Sequence, residues 1–219
     1  MSDFINTIDL LGDEIVIDSI INRTITEFKD DTVNIVGLRA FYGCTNLTAI
    51  NLPNVGGNPV YDVGHSAFYG CTALKNVNLP NFATTSSATG YIFTNCTSLE
   101  RIVLPKLKNV ALGMFRYCSA LVTVDLSVAT NISGTAFEGC ENLKCLVLRT
   151  NSVCTLGSST TTFRNSGIAN GIGYIYVPRV YLESYKIETN WSVYANQFRA
   201  LEDYTVDGTI TGELDESKI

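Results

Sequence analysis

The chain has 219 residues, of which 46% are apolar and only 16% charged, with a net charge of −6 and a pI near 4.8. That composition can bury a continuous core. It lacks the basic stripe needed by a protein that tracks a nucleic-acid backbone or an anionic membrane surface, and no apolar run approaches the roughly 18 residues of a membrane span. Neither nucleic-acid binding nor membrane insertion is therefore expected. The N-terminal stretch MSDFINTIDLLGDEIVIDSII has no basic region, and Asp9, Asp13, Glu14 and Asp18 interrupt its apolar residues. It does not read as a secretory signal. The expectation is synthesis in the cytoplasm, with a virus particle or the cell surface reached only by another route.

In chain order, residues 1–24 read as an N-terminal cap. Within them DEIVIDSII at 13–21 admits helix or strand, and its opening acids tip the reading towards helix. Residues 25–178 read as a repeat array. ITEFKDDTVNIVGLRAF at 25–41 aligns without a gap on LVTVDLSVATNISGTAF at 121–137, with Asp30 standing where other units have Leu. The regular units follow: AFYGCTNLTAINLPN at 40–54, AFYGCTALKNVNLPN at 67–81, IFTNCTSLERIVLPK at 92–106, MFRYCSALVTVDLSV at 114–128 and AFEGCENLKCLVLRT at 136–150. All repeat the pattern F-x-x-C-x-x-L-x-x-(I/V/L)-x-L, so each unit is one coil that buries its face only against its neighbours.

Inside a unit, the short β-branched Leu-x-x-Ile-x-Leu segment predicts a strand. Pro53, Pro80 and Pro105 end three of these strands, because proline lacks the N–H of a ladder bond. The Phe-x-x-Cys segment predicts a turn. A further apolar residue, five positions before each Phe, predicts an inward point on the return leg: Val36, Val63, Ala88, Val110 and Ile132. Phe-to-Phe steps of 27, 25, 22, 22 and 26 place extra residues in the loops at 56–63 and 83–91, which should bulge from one face. GIGYIYVP at 171–178 predicts the last strand, with Ile172, Ile175 and Val177 inward. Residues 179–204 read as a C-terminal cap with a short helix near 179–188 and Trp191 as its anchor. Residues 205–219 hold an Asp207-Gly208 turn that suits a small hairpin followed by a polar tail.

The repeat resembles the BspA-type, or Treponema-type, leucine-rich repeat of bacterial proteins, over roughly residues 25–178. The segments INRTITEF at 21–28 and YVPRVYLESYKIETNWSVYANQF at 176–198 are similar to the caps of short leucine-rich proteins from gut bacteria and their phages. The resemblance implies a leucine-rich repeat solenoid, right-handed, with parallel strands on one face, loops on the other and a cap at each end. It also implies adhesion or protein binding, the role of the family's better-known members.

The chemistry-bearing residues point away from catalysis. Five of the seven cysteines (Cys44, Cys71, Cys96, Cys118 and Cys140) share one repeat position, and no C-x-x-C occurs. That argues against a zinc site or a thioredoxin-like motif. Buried free thiols that weakly satisfy backbone carbonyls are expected. Cys145 stands outside that column as the candidate accessible thiol. His65, the single histidine, has only Asp62 near it as an acid, so no nucleophilic triad is legible. No Gly-rich phosphate loop is present, and no catalytic residue, cofactor or metal is expected.

The outward strand positions form two columns. One runs through Ala49, Asn76, Arg101, Thr123, Cys145 and Tyr174, and the other through Asn51, Asn78, Val103, Asp125, Val147 and Tyr176. Asn76, Asn78, Arg101, Val103, Asp125, Val147, Tyr174 and Tyr176 are the candidate ligand-contact face. Its apolar end suits either a partner or the cap, and Arg101 and Asp125 read as a surface ion pair. The function expected is non-catalytic binding or adhesion to a protein or carbohydrate. A structural or host-attachment component of a phage tail is the alternative.

Overall fold

The computed structural model describes residues 24–58, 62–83, 85 and 89–204, together with the backbone of 8–11 and 14–17. The hairpin expected at 205–219 lies outside the described residues, as does Ala88. The chain is a parallel β-solenoid of about eight turns. Its front strands are β3 (Glu27–Lys29), β5 (Ala49–Asn51), β6 (Asn76–Asn78), β7 (Arg101–Val103), β9 (Thr123–Leu126), β11 (Cys145–Leu148), β13 (Tyr174–Val177) and β14 (Phe198–Ala200). The return legs carry β4 (Ile35–Val36), β8 (Asn109–Val110), β10 (Asn131–Ile132) and β12 (Thr155–Leu156).

Each inward column follows from the repeated sequence. Leu47, Leu74, Leu99, Leu121 and Leu143 are all fully buried, as are Val36, Val63, Val110 and Ile132 on the return legs. The Phe column stacks face to face from Phe41 through Phe68, Phe93, Phe115 and Phe137 to Phe163, with ring centroids 5.1–5.7 Å apart. Phe28 closes it edge-on at one end, and Trp191 and Tyr194 close it at the other. Beside it runs a thiol ladder. Sγ of Cys71, Cys96, Cys118 and Cys140 donates to the carbonyls of Phe41, Phe68, Phe93 and Phe115 at 3.0–3.2 Å. Each of these carbonyls also accepts the N–H of the cysteine three residues on, at 3.1–3.2 Å, so the small S–H donor fills its second acceptor site. All seven cysteines are free and buried.

The turn explains the residue next to Cys. The position two after each Phe has positive φ: +71° to +73° at Gly43, Gly70 and Gly139, and +57° to +65° at Asn95, Tyr117 and Asn165. Gly and Asn reach this region at least cost.

The ends differ from the sequence-based expectation in three ways. Residues Glu14–Ile17 form strand β2, not a helix. It pairs antiparallel with β1 (Ile8–Leu11) and parallel with β4, so the hairpin extends the return-leg sheet. The β-branched content of this segment prevails over its acids once a strand edge is present to pair with. Ile172 is 55% exposed, because three extra residues between Phe163 and β13 transfer the inward role to Ile168, which is fully buried. The insertion works only with glycine at Gly173, where a Cβ would lie 2.2 Å from the Leu143 carbonyl oxygen. The C-terminal segment also contributes β14, parallel to β13, so it adds a further front strand. The helix α1 (Leu182–Ile187) lies where expected. Trp191 is fully buried, donates from Nε1 to the Cys154 carbonyl at 2.6 Å, and packs against Phe163, Tyr185 and Phe198.

Candidate functional site

The outward columns have the register read from the repeat. Cys145 pairs with Thr123 and Tyr174, Val147 with Asp125 and Tyr176, Arg101 with Thr123, Val103 with Asp125, and Asn78 with Asn51. Their surroundings divide the face into two halves.

The C-terminal half is closed. Cys145, Val147 and Tyr176 are each 1% exposed and form a second apolar cluster under Leu201, with Tyr174 and Tyr204 packed at its margin. The chain leaves β14 through a 3₁₀ turn at Leu201–Asp203 that lies over this patch. Glu202 accepts the Arg179 N–H, and Arg179 also pairs with Asp203. Arg199 sits 4.1 Å from the Tyr174 ring centroid. The apolar candidates Val147 and Tyr176 are therefore cap contacts, and Tyr174 is a half-buried one. Burial pushes the Cys145 thiol up to about 12, and the nearby Asp125 carboxylate pushes in the same direction. Cys145 is thus not the accessible thiol that its sequence position suggested. Asp125 is largely buried and bonds to Arg149, with an Nη2–Oδ2 distance of 3.2 Å, not to Arg101. Arg149 extends the outward column one step beyond Val147, which puts its guanidinium over the neighbouring coil.

The N-terminal half is open. The front face is two sheets, one of β3, β5 and β6 and one of β7, β9, β11, β13 and β14. No backbone hydrogen bond joins β6 to β7. In the ladders on either side, Asn76 N–H donates to Thr48 and Leu52 N–H donates to Asn78, while Thr123 N–H donates to Glu100 and Leu104 N–H to Asp125. Alternate residues of a parallel strand serve opposite neighbours. Val77 on one side, and Arg101 and Val103 on the other, therefore turn unbonded N–H and C=O groups towards the seam.

The coils stay joined on their turn edge. Phe68 N–H donates to Ile92 at 2.9 Å, Gly70 N–H donates to Thr94 at 2.8 Å, and the Phe68 and Phe93 rings stack at 5.1 Å. The split thus lies at the strand edge, with the turn edge intact. It leaves a groove of about 380 Å³ whose lining includes Lys75, Asn76, Val77, Asn78, Arg101 and Val103. Val77 occupies the inward position at which Ile50 and Ile102 are 1% exposed, yet it is half-buried, and it forms the groove floor. Asn78 Nδ2 donates to Asn51 Oδ1 at 2.6 Å along one rim.

Of the candidate residues, Asn76, Asn78, Arg101 and Val103 thus meet at one groove. Asp125, Val147, Tyr174 and Tyr176 belong to the closed half. The sequence reading missed Lys75 and Val77. Lys75 lies one position outside the strand alternation, and Val77 carries the inward signature, so neither stands out as exposed. It also missed an aromatic edge at the turns, where Tyr42 stacks on Tyr69 at 5.0 Å and His65 contacts Tyr91 at 5.6 Å. The repeated F-Y-G-C was its signal. Asp62 proves structural: its buried carboxylate accepts Asn58 N–H and Ala83 N–H, each at 2.8 Å, and so ties together the two loops read as bulges. Among the described residues, no three of His, Cys, Asp and Glu converge as metal ligands, and no helix is long and apolar enough to cross a membrane.

Stacked parallel coils with Leu, Phe and Cys columns define a leucine-rich repeat solenoid. The family model described as "BspA type Leucine rich repeat region" matches residues 34–169 in six copies, and the chain belongs to that family. Among solved structures, a leucine-rich repeat protein from Bacteroides ovatus is 23% identical over 80% of this chain and 42% of its own, with a TM-score of 0.57. A leucine rich cell surface protein from Faecalibacterium prausnitzii is 26% identical over 58% and 40%, with a TM-score of 0.44. A leucine rich repeat protein of Treponema pallidum is 21% identical over 75% and 86%, with a TM-score of 0.41. The chain spans about two fifths of the length of the first two. No curated protein sequence matches it.

Proposed function

We propose that the chain is a non-catalytic binding module that engages a protein or carbohydrate ligand on the N-terminal half of its strand face. Membership of a repeat family that suggests a binding or adhesion scaffold supports the class of function. Fold alone does not assign a role, so the argument for the site rests on its own geometry. The observation that carries it is the open seam. A half-buried valine floors a groove at the one break in the described front sheet, while the opposite half of the same face is occupied by the chain's own cap. The groove volume falls within the range of ligand pockets, roughly 300–1,000 Å³.

The test blocks the groove without touching the core. Asn76 is exposed and its side chain makes no hydrogen bond, so Asn76→Trp should fill the seam while leaving thermal melting unchanged. Wild type and variant are screened against the same glycan and surface-protein arrays. Ligands retained by wild type should lose about tenfold or more on the variant. Ligands that bind both equally would move the site off this face.

A further inference from the structure

We infer that the seam between β6 and β7 takes an extended acidic peptide segment. A carboxylate-bearing residue would sit at the Lys75–Arg101 end and an aliphatic residue, two positions away, at the Val103 end. This rests on the strand-face reading and deepens it by naming the ligand class.

The first support is charge. Lys75 and Arg101 both line the groove and both are exposed, and no carboxylate lines it. Among the described residues neither side chain makes a hydrogen bond or an ion pair, although the Lys75 backbone N–H donates to Thr48 at 2.9 Å. By contrast Arg116, Arg149, Arg164, Arg179 and Lys186 each hold an acidic partner. Two cations without a salt-bridge partner thus give this groove a positively charged lining in a chain of net charge −6. Complementary charge of this kind steers and selects a partner.

The second support is the backbone. Val77 presents an N–H and a C=O to the seam with no partner across it. β7 lies too close for a whole strand to be inserted beside β6, so these groups offer individual polar contacts to an extended chain lying over the groove, with its alternate side chains giving specificity. The groove runs along β6 and β7, so a ligand lying in it is parallel to the strands.

The third support separates a peptide from an oligosaccharide. No aromatic ring lines the groove, so a sugar has no face to stack on. The apolar surface offered is aliphatic, from Val77 beneath and Val103, 40% exposed, beside it. Arg101 and Val103 lie two residues apart on one strand, and their side chains stand on the same face about 6.6–6.8 Å apart. Residues i and i+2 of an extended ligand have that same pitch. One side chain then meets the cations as its second neighbour meets Val103.

The experiment is selection of a displayed random heptapeptide library on the full chain. The winning sequence is then titrated as a fluorescein-labelled peptide. Wild type, Lys75→Ala/Arg101→Ala and Val103→Asp are compared, with polygalacturonate as the acidic oligosaccharide probe. All three substituted residues are exposed, and unchanged melting curves certify the fold. Enrichment of Asp or Glu two positions from Val, Ile or Leu is expected, with affinity lost by about tenfold or more in the double variant and in 0.5 M salt. Val103→Asp should select against the acidic motif. Selected peptides without an acid, or acidic peptides indifferent to the double variant, overturn the proposal. Polygalacturonate retained by wild type and released by the double variant, with no peptide selected, overturns the peptide class but keeps the strand-face module. Binding that survives both groove variants and is lost in Tyr42→Ala places the site on the turn edge and overturns both readings.

Discussion

Phe115→Ala is the sharpest test of how the array holds together. The ring is fully buried in mid-column, 5.7 Å from Phe93 and 5.5 Å from Phe137, with interplanar angles of 1° and 9°. Truncating a buried Phe costs about 3–5 kcal/mol, and two lost ring pairs at about 0.5–1.5 kcal/mol each account for part of it. Domains have about 5–15 kcal/mol in total, so the loss is large. In a solenoid it is also local, because stability is a sum over coils and nearest-neighbour interfaces. Trp191 is the only tryptophan and sits buried in the C-terminal cap, so its fluorescence reports that end alone while far-UV circular dichroism reports every coil. In urea the two signals of wild type should coincide. In Phe115→Ala the circular dichroism transition should move to lower urea and broaden while Trp191 trails it, since the interfaces beyond Phe137 are intact. Phe163→Ala removes the ring that touches Trp191 and Tyr194 and should reverse the order. A cost below about 1 kcal/mol for Phe115→Ala, or identical displacement of both signals in both variants, would refute the column as the coupling element.

Cys96→Asp puts a carboxylate where Sγ now faces the Phe68 carbonyl at 3.2 Å in a fully buried position. A buried unpaired charge costs several kcal/mol, so the variant should be recovered insoluble. Cys96→Ser should stay soluble, as Ser166 already fills the equivalent position fully buried, and a Cys96→Asp chain that melts like wild type would contradict the burial. Alkaline stability should fall from about pH 9, because burial pushes Cys154 and Tyr185 each up to about 12 from ordinary values near 9 and 10. Below about pH 8 both are protonated in folded and unfolded chains and contribute no pH dependence. Between 9 and 12 the unfolded chain loses protons that the folded chain keeps, so stability declines with a limiting slope of about 1.4 kcal/mol per pH unit for each group. A midpoint temperature flat from pH 8 to pH 11 would contradict this. Amide exchange by NMR should find Val77, Arg101 and Val103 exchanging at least about 100-fold faster than Ile50 and Val124, which lie within intact ladders. Equal protection would mean that the seam is closed in solution.

The inward half of the fold was legible because a solenoid repeats a constraint. Each coil must present the same shape to its neighbour, so Leu, Phe and Cys recur at fixed offsets and alignment alone yields the strand register. Trp191 was legible for a related reason, since the last coil needs a large apolar cover. The errors fall where a residue's fate depends on one tertiary partner. Glu14–Ile17 is a strand because β4 offers it an edge, and nothing local in DEIVIDSII records that edge. Asp125 meets Arg149 and not Arg101 because Arg149 stands just beyond the Val147 column, where it can fold back over the neighbouring coil. Cys145, Val147 and Tyr176 looked equally suited to a ligand or a lid, and Leu201 decides between them by lying across them. The seam left no trace, because Val77 is the same kind of residue as Ile50 and Ile102, and what distinguishes it is a set of bonds that its backbone does not make.

That absence is inexpensive in this position. A buried N–H or C=O without a partner carries the full desolvation cost, but the groups facing the seam border an open groove, where water can replace the missing ladder. The coils remain registered through the Phe68–Phe93 stack and the turn bonds from Phe68 to Ile92 and Gly70 to Thr94, so the fold does not depend on pairing β6 with β7. The opposite end of the face is spent on closure, with its apolar residues beneath Leu201 of the C-terminal cap. A ligand strand arriving at the C-terminal half would have to displace Leu201 and break the contacts of Glu202 and Asp203 with Arg179. One arriving at the seam displaces water and finds donors, acceptors, two cations and an aliphatic floor already in place. Pre-organisation of this kind lowers the cost of association without adding contacts, which is the physical reason to look for the ligand between β6 and β7.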